Sequence, residues 1–184
     1  MKNLTIKVIT FLIFNLFVNI HLYSQTSESV KNRIIEIKKW YAEINALGLK
    51  NCKSKSYQES EKMGEISPGK AFYTSHTQTI SVCRLNDAYT VRKGQFRGHE
   101  WVEDIIIYLK NGKIFFVFEK GDSEGGSWEK RYYCNTNEKI IQQLDREANV
   151  GEELNNPNKE NKSNINKNIH EFFDLNKVKR IQNE

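Results

Sequence analysis

Residues 101–119 read WVEDIIIYLKNGKIFFVFE, and the folding of this stretch decides the rest. Asn111-Gly112 sits between two runs rich in Ile, Phe and Val. That dipeptide supplies the positive φ angles of a type I′ turn, so the flanking runs pair as an antiparallel hairpin. Side chains alternate between faces along a strand. Ile105, Ile107 and Leu109 therefore point one way, and Ile106 and Tyr108 the other. In the second run Phe115 and Val117 oppose Ile114, Phe116 and Phe118. Both faces of the hairpin are apolar, as in strands that lie inside a sheet covered on both sides.

One cover is supplied upstream. Val30, Ile34, Ile37, Tyr41, Ile44 and Leu47 recur at intervals of three and four, with Ile35 and Trp40 widening the stripe. This spacing predicts an amphipathic helix over 27–47, capped by Ser27 or Ser29 and stopped at Gly48. The second sheet face needs another helix, a curled sheet or a partner chain, and a homo-oligomer is one such solution. Short strands are expected at 52–58, 60–66, 70–76, 79–85, 89–96, 101–109, 113–119 and 127–134. The polar run CKSKSYQESEK at 52–62 suits a sheet edge blunted by charge. Residues 137–147, with Asn137 as cap and Ile140, Ile141 and Leu144 as apolar face, read as a short helix. The Asn- and Lys-rich stretch 151–164 has little to bury and reads as a linker. Helical spacing then returns over 165–184, predicting a C-terminal amphipathic helix. Its Lys167, Lys177, Lys179 and Arg180 outnumber Glu171 and Asp174, so association with a membrane surface is one expectation for it.

The compartment is read from the start of the chain. Lys2 and Lys7 precede an apolar run from about Val8 to Ile20, the pattern of a secretory signal peptide spanning 1–24. The run is interrupted by Asn15 and Asn19, whereas a membrane-spanning helix needs about 20 mainly apolar residues. No integral span is expected in the mature chain, and localisation should be periplasmic or extracellular. Setting aside Lys2 and Lys7 leaves 26 basic residues against 23 acidic, a net charge of +3. Basic residues are scattered rather than gathered on one face, which argues against nucleic acid as a partner. Three cysteines remain, Cys52, Cys83 and Cys134. In an oxidising compartment one disulfide is expected. The sequence leaves three pairings open, and Cys83–Cys134 is favoured because both lie in strongly strand-like segments.

No catalytic set assembles itself from the sequence. GDSEGG at 121–126 resembles the nucleophile segment of chymotrypsin-like proteases, yet Glu124 interrupts it and no upstream histidine segment accompanies it. Asp122, Gly125 and Gly126 read instead as a hairpin tip, with Ser123 a turn residue. Asp122 and Glu124 fall short of the six or more oxygens calcium takes. His76 and His99 stand outside any metal-ligand pattern, so no metal and no cofactor is expected. His99, Glu100 and Glu103 are weak candidates for general acid–base work, the basis of an alternative reading as a small hydrolase. A binding surface is better supplied: Trp101, Trp128, Tyr132, Tyr133 and Arg131 are residue types that dominate interaction hot spots.

The YSQ ending of the leader, the Lys-, Asn- and Ile-rich composition, and the segments IIEIKKWYAEIN and KRYYCNTNEKII resemble small exported proteins of Bacteroidota over roughly residues 1–147. A helix followed by an antiparallel meander is also similar to cystatin-like and nuclear-transport-factor-like architectures. That likeness implies fold order and transfers no functional residue. The Gln-x-Val-x-Gly hairpin of cystatins is absent from the sequence, which argues against protease inhibition. The expectation is an α+β domain over 25–150, a helix packed on a twisted antiparallel sheet with a C-terminal helical appendage. Its expected function is non-catalytic binding of an unknown protein or ligand in the cell envelope, through the sheet face or the C-terminal segment.

Overall fold

The computed structural model describes residues 28–67, 70–154 and 159–171. Helix α1 spans 28–47. Eight strands follow: β1 (Cys52–Ser67), β2 (Lys70–Arg84), β3 (Tyr89–Arg97), β4 (Trp101–Lys110), β5 (Lys113–Ser123), β6 (Gly126–Cys134), β7 (Ile140–Ala148) and β8 (Lys159–Asn161). They form one antiparallel sheet in sequence order, each strand hydrogen-bonded to the next. The chain divides into two compact units, Met1–Lys39 and Trp40–Glu184. In the described part of the first, Ile37 is fully buried and Arg33 pairs with Glu36. The second holds the last turns of α1 and the whole sheet.

This overturns the expected α+β class. The described chain is dominated by an eight-stranded sheet with a single α-helix, and neither the cystatin-like order nor the helical appendage fits. The helix expected at 137–147 is strand β7. Glu138 has φ 60°, a left-handed conformation that breaks a helical path at its second residue. Asn135 fixes the turn there, its Oδ1 accepting from the Asn137 and Lys139 backbone N–H groups at 2.9 and 3.0 Å. Ile140 onward then pairs with β6, and tertiary pairing overrides the helix propensity of Gln, Leu, Glu and Arg.

The expected linker supplies β8. Its Asn residues meet polar groups of β7: Asn161 donates to the half-buried Asp145 at 2.6 Å and Asn164 to the buried Gln143 at 2.7 Å. The described part of the expected C-terminal helix, residues 165–171, holds a β-bridge from Asn168 to Lys139 and a 3-10 turn, Ile169–Glu171. Residues 172–184 lie outside the described residues. Residues 164–171 act as a strap along the start of β7, with Asn166 N–H donating to the Ile140 carbonyl at 2.7 Å.

Upstream, the four short strands expected between 52 and 85 are two long ones. Their register slips between Lys62 and Gly64 and between Glu65 and Ser67. β1 does lie at the sheet edge. The Asn111-Gly112 hairpin is as read, with φ of 50° and 78° and Lys110 facing Lys113. Strict alternation breaks beyond it. Tyr108 faces Phe116 while Leu109 faces Ile114, so Phe115 is the extra residue of a β-bulge.

The bulge sorts the apolar residues into two covers. On one face, Phe115 meets Trp40 edge-on at 5.2 Å, and Tyr41 meets Tyr108 and Phe116 at 5.3 and 5.4 Å. Tyr89 donates to Glu43 on this helix face. Burial first, then that hydrogen bond, pushes its hydroxyl up to about 12. On the other face Ile107, Leu109, Ile114, Val117, Tyr132, Cys134 and Ile140 cluster with Ile169 of the strap. We call this the strap face. Ile114 therefore belongs with Val117, and Phe115 with Phe116, the reverse of simple alternation. Among the described residues, no helix is long and apolar enough to cross a membrane.

The disulfide joins Cys52 to Cys83, correcting the expected Cys83–Cys134 pair. Register decides it: Cys52 and Cys83 face each other across β1 and β2 with Cα atoms 4.0 Å apart. Cys134 lies four strands along the sheet on β6, buried and outside the bond. The bridge closes a separation of 31 residues, and a loop of that size contributes about 2–4 kcal/mol in the chain-entropy account. Cys52→Ser should therefore lower the urea midpoint of the oxidised protein and leave that of the reduced protein nearly unchanged. Equal midpoints in oxidised parent and variant would contradict the bond.

Candidate functional site on the strap face

Residues facing each other across a ladder share a face, so register alone assembles the site. One row along the strap face runs Gln78, Phe96, Glu103, Gly121, Trp128 and Glu147. The next runs Ile80, Gly94, Ile105, Glu119, Lys130 and Asp145. The sheet thus turns from the apolar cluster under the strap to a polar region at its other end.

Glu119 is the centre of that region. It is 8% exposed, on the one acidic position within the apolar part of β5. The β5–β6 turn at Glu124-Gly125 sets Lys130 opposite it, so Trp128, Lys130 and Tyr132 share its face at alternate positions. All three donate to it. Trp128 Nε1 and Lys130 Nζ are 3.2 Å from Oε1, and the Tyr132 hydroxyl is 3.0 Å from Oε2. Burial, then the charge of Glu119, drives the Tyr132 hydroxyl far above its ordinary value, so it remains a donor. The Trp128 ring can reach Glu119 because it lies flat across Gly121. A Cβ at 121 would sit 2.1 Å from the ring. Gly121→Ala should therefore displace the indole and change its fluorescence, which near-ultraviolet circular dichroism also reads. An unchanged spectrum would contradict the stacking.

Glu103 lies beside this network without joining it. It is half-buried, and neither a hydrogen bond nor an ion pair reaches its carboxylate among the described residues. Burial raises its pKa, the charge of Glu119 raises it further, and Lys130 partly offsets both. Asp145, opposite Lys130, accepts from Gln143 at 2.8 Å as well as from Asn161. Asp145 also lines an open cleft of about 450 Å³ with Glu147, Lys159 and Asn161.

The residues singled out from sequence divide accordingly. Trp101, Trp128 and Tyr132 lie on the strap face, while Arg131 and Tyr133 lie on the helix face. There Tyr133 is buried against Phe116, and Arg131 pairs with Glu129 at 3.1 Å. Trp101 is 38% exposed, folded over Gly98 and 6.4 Å from the His76 ring. His99 is 3.5 Å from Glu100 in the exposed β3–β4 loop, with side chains 87% and 60% exposed. Glu103 lies on the strap face, opposite Gly121 and within the field of Glu119. Among the described residues no hydrogen bond or ion pair joins Glu103 to His99 or Glu100. Ser123 serves its turn, accepting from Gly125 N–H at 3.2 Å and donating to the Gly126 carbonyl at 3.4 Å. Asp122 accepts from Ser127. Among the described residues no three His, Cys, Asp or Glu side chains gather as a metal site.

Sequence reading missed Glu119, Lys130 and Asp145. The signal was a lone acid inside KIFFVFE. Counting back from a two-residue turn at 124–125 places it opposite Lys130.

No protein-family model matches the chain, and no curated protein or solved structure shows significant similarity to it.

Proposed function

We propose that the protein is a non-catalytic binding protein of the cell envelope that takes a ligand on the strap face, around Glu103, Glu119, Trp128 and Lys130. The observation carrying this reading is Glu103. A half-buried carboxylate with no donor, set beside a second carboxylate, costs the fold free energy. A ligand amine or hydroxyl group placed there would donate to that carboxylate and offset the repulsion. Trp128 and the partly exposed Trp101 on the same face offer flat apolar surface for the rest of such a ligand. Export is supported by the leader-like residues 1–24 and by the Cys52–Cys83 disulfide, a bond that persists in oxidising compartments.

The test is a thermal-shift panel of neutral sugars and aliphatic diamines on the full chain and on Glu103→Gln. A donor-bearing ligand should raise the parent midpoint and leave the variant unmoved. If no member of the panel moves the parent, the reading is wrong.

The same residue has a pH consequence. A carboxyl whose folded pKa is raised stabilises the fold while protonated. That contribution is fully present below the unfolded value and lost as pH rises through the folded value. Between those values the parent should lose stability relative to Glu103→Gln, and the variant should be the more stable protein at neutral pH, by about 1 kcal/mol. Urea melts across the acid range check this. A variant less stable than the parent at neutral pH would mean that Glu103 has a stabilising partner.

A second reading, a small hydrolase, has one observation in its favour. The Glu103 carboxyl, whose pKa is raised by burial and then by the charge of Glu119, holds its proton to higher pH than a free carboxyl, a shift in the direction that suits a proton donor to a leaving group. Turnover of aryl glycosides or esters by the parent and not by Glu103→Gln would displace the binding reading. The His99 and Glu100 pair lies outside this arrangement.

A further inference from the structure

Strand β1 forms one edge of the sheet, and among the described residues no strand pairs with its outer side. Its ladder to β2 runs unbroken from Cys52 opposite Cys83 to Lys62 opposite Tyr73, and the register slips begin beyond Lys62. Even-numbered positions of this stretch make the close pairs with β2. Cys52 and Cys83 have Cα atoms 4.0 Å apart, and the Ser54 and Ser56 hydroxyls meet those of Ser81 and Thr79 at 2.8 and 2.9 Å. In an antiparallel ladder the close pairs, with Cα atoms about 4.5 Å apart rather than about 5.5 Å, exchange no backbone hydrogen bonds. Their N–H and C=O groups point away from the partner strand. The outer side of β1 therefore presents the backbone groups of Cys52, Ser54, Ser56, Gln58 and Ser60.

The odd-numbered positions carry the charge. Lys53, Lys55 and Tyr57 lie on the strap face opposite Val82, Ile80 and Gln78, and the row continues through positions 59 and 61, both Glu in the sequence. The row reads Lys, Lys, Tyr, Glu, Glu, and Tyr57 is also the midpoint of the unbroken stretch 52–62. Pairing this edge antiparallel with a second copy of itself about Tyr57 sets Lys53 opposite Glu61 and Lys55 opposite Glu59 of that copy. The two-fold symmetry repeats each facing. The intervening positions 54, 56, 58 and 60 are Ser, Ser, Gln and Ser, and oppose no like charges there. Moving the axis to Ser56 or Gln58 keeps only one of the two facings. Moving it to Lys55 or Glu59 sets like charges directly opposite one another, which is destabilising.

We propose that the outer edge of β1 is a self-pairing surface, through which two copies of this chain join as a dimer about Tyr57. Ser56 of each copy exchanges backbone hydrogen bonds with Gln58 of the other. The odd-numbered residues then form the close pairs, the geometry that brings opposing side chains nearest. The same patch is used on both copies, so the assembly closes at two and leaves no β1 edge to recruit a third. Antiparallel pairing keeps equivalent faces together, so both strap faces lie on one side of the joined sheet. The charges that discourage foreign strands from this edge thereby select a single register. The pairing does not depend on the Glu103 reading.

Sedimentation velocity on the full chain over a concentration series tests this. The parent should pass from monomer to dimer and no further. Lys55→Glu sets acid against acid at both symmetric positions and should weaken the dimer about tenfold. Adding Glu59→Lys to that variant restores opposite charges and should recover most of the loss. Ser56→Pro removes an outward N–H that β2 does not use, a place where a sheet edge tolerates proline. It should abolish the dimer while circular dichroism retains the sheet signal. Should Ser56→Pro fail to fold, the two charge variants decide alone. A parent that stays monomeric throughout, a dimer that survives in folded Ser56→Pro, an unweakened Lys55→Glu dimer, or a loss that Glu59→Lys does not recover overturns the proposal.

Discussion

Phe115→Ala should destabilise the protein by about 3–5 kcal/mol, the range for deleting a fully buried aromatic ring. Phe115 is 1% exposed and is the extra residue of the β4–β5 bulge. The bulge turns its ring to the helix face, where it meets Trp40 edge-on and Tyr108 at 6.3 Å. Removing it leaves both rings facing a cavity that the sheet cannot collapse, because β5 is hydrogen-bonded on both sides. Phe115→Leu refills most of the volume and should cost less than half as much. Urea unfolding at constant slope is the measurement. A loss below about 1 kcal/mol for the alanine variant would mean that Trp40 and Tyr108 do not depend on the bulge, contrary to the packing described.

Glu119→Ala is expected to be comparably severe, at about 3–5 kcal/mol, for a different reason. The truncation leaves the Lys130 ammonium, the Trp128 indole N–H and the Tyr132 hydroxyl without their shared acceptor. The penalty comes from those stranded donors rather than from the worth of the ion pair. Two further variants separate the effects. Glu119→Gln keeps an acceptor and should cost less. Glu119→Leu combined with Lys130→Met removes charge on both sides and should recover much of the loss. If the double variant is as unstable as the alanine variant, the damage lies in packing and the electrostatic account fails. Glu119 variants should also lose any ligand response on the strap face, because Trp128 is held in place through Glu119 as well as over Gly121.

The contrast between these two residues shows what the sequence reveals. Phe115 sits in a run whose apolar character on both faces is plain, so a central, doubly covered strand is legible from IIIYL and IFFVF. The bulge itself is not legible. A one-residue slip leaves no local mark, yet it exchanges the faces of Ile114 and Phe115. Glu119 is reachable by counting from the 124–125 turn, but only once that turn is taken to have two residues. β7 is misread because IIQQLDRE satisfies helical spacing as well as a strand does, and only the edge of β6 and the left-handed Glu138 decide between them. The 151–164 stretch is misread for a related reason. Its composition offers no apolar core, and its order depends on Asn side chains meeting Gln143 and Asp145, polar partners on β7 that composition does not reveal. The disulfide fails for want of register, since strand character alone cannot say which strands are neighbours.

The placement of the three cysteines bears on the order of oxidation. In a chain threaded N-terminus first into an oxidising space, Cys52 and Cys83 emerge ahead of Cys134 and can be joined before the third thiol arrives. When β6 follows, the sheet interior takes up Cys134 and withdraws it from exchange. Both mispaired forms would require Cys134, the one of the three that the sheet buries outside the bond.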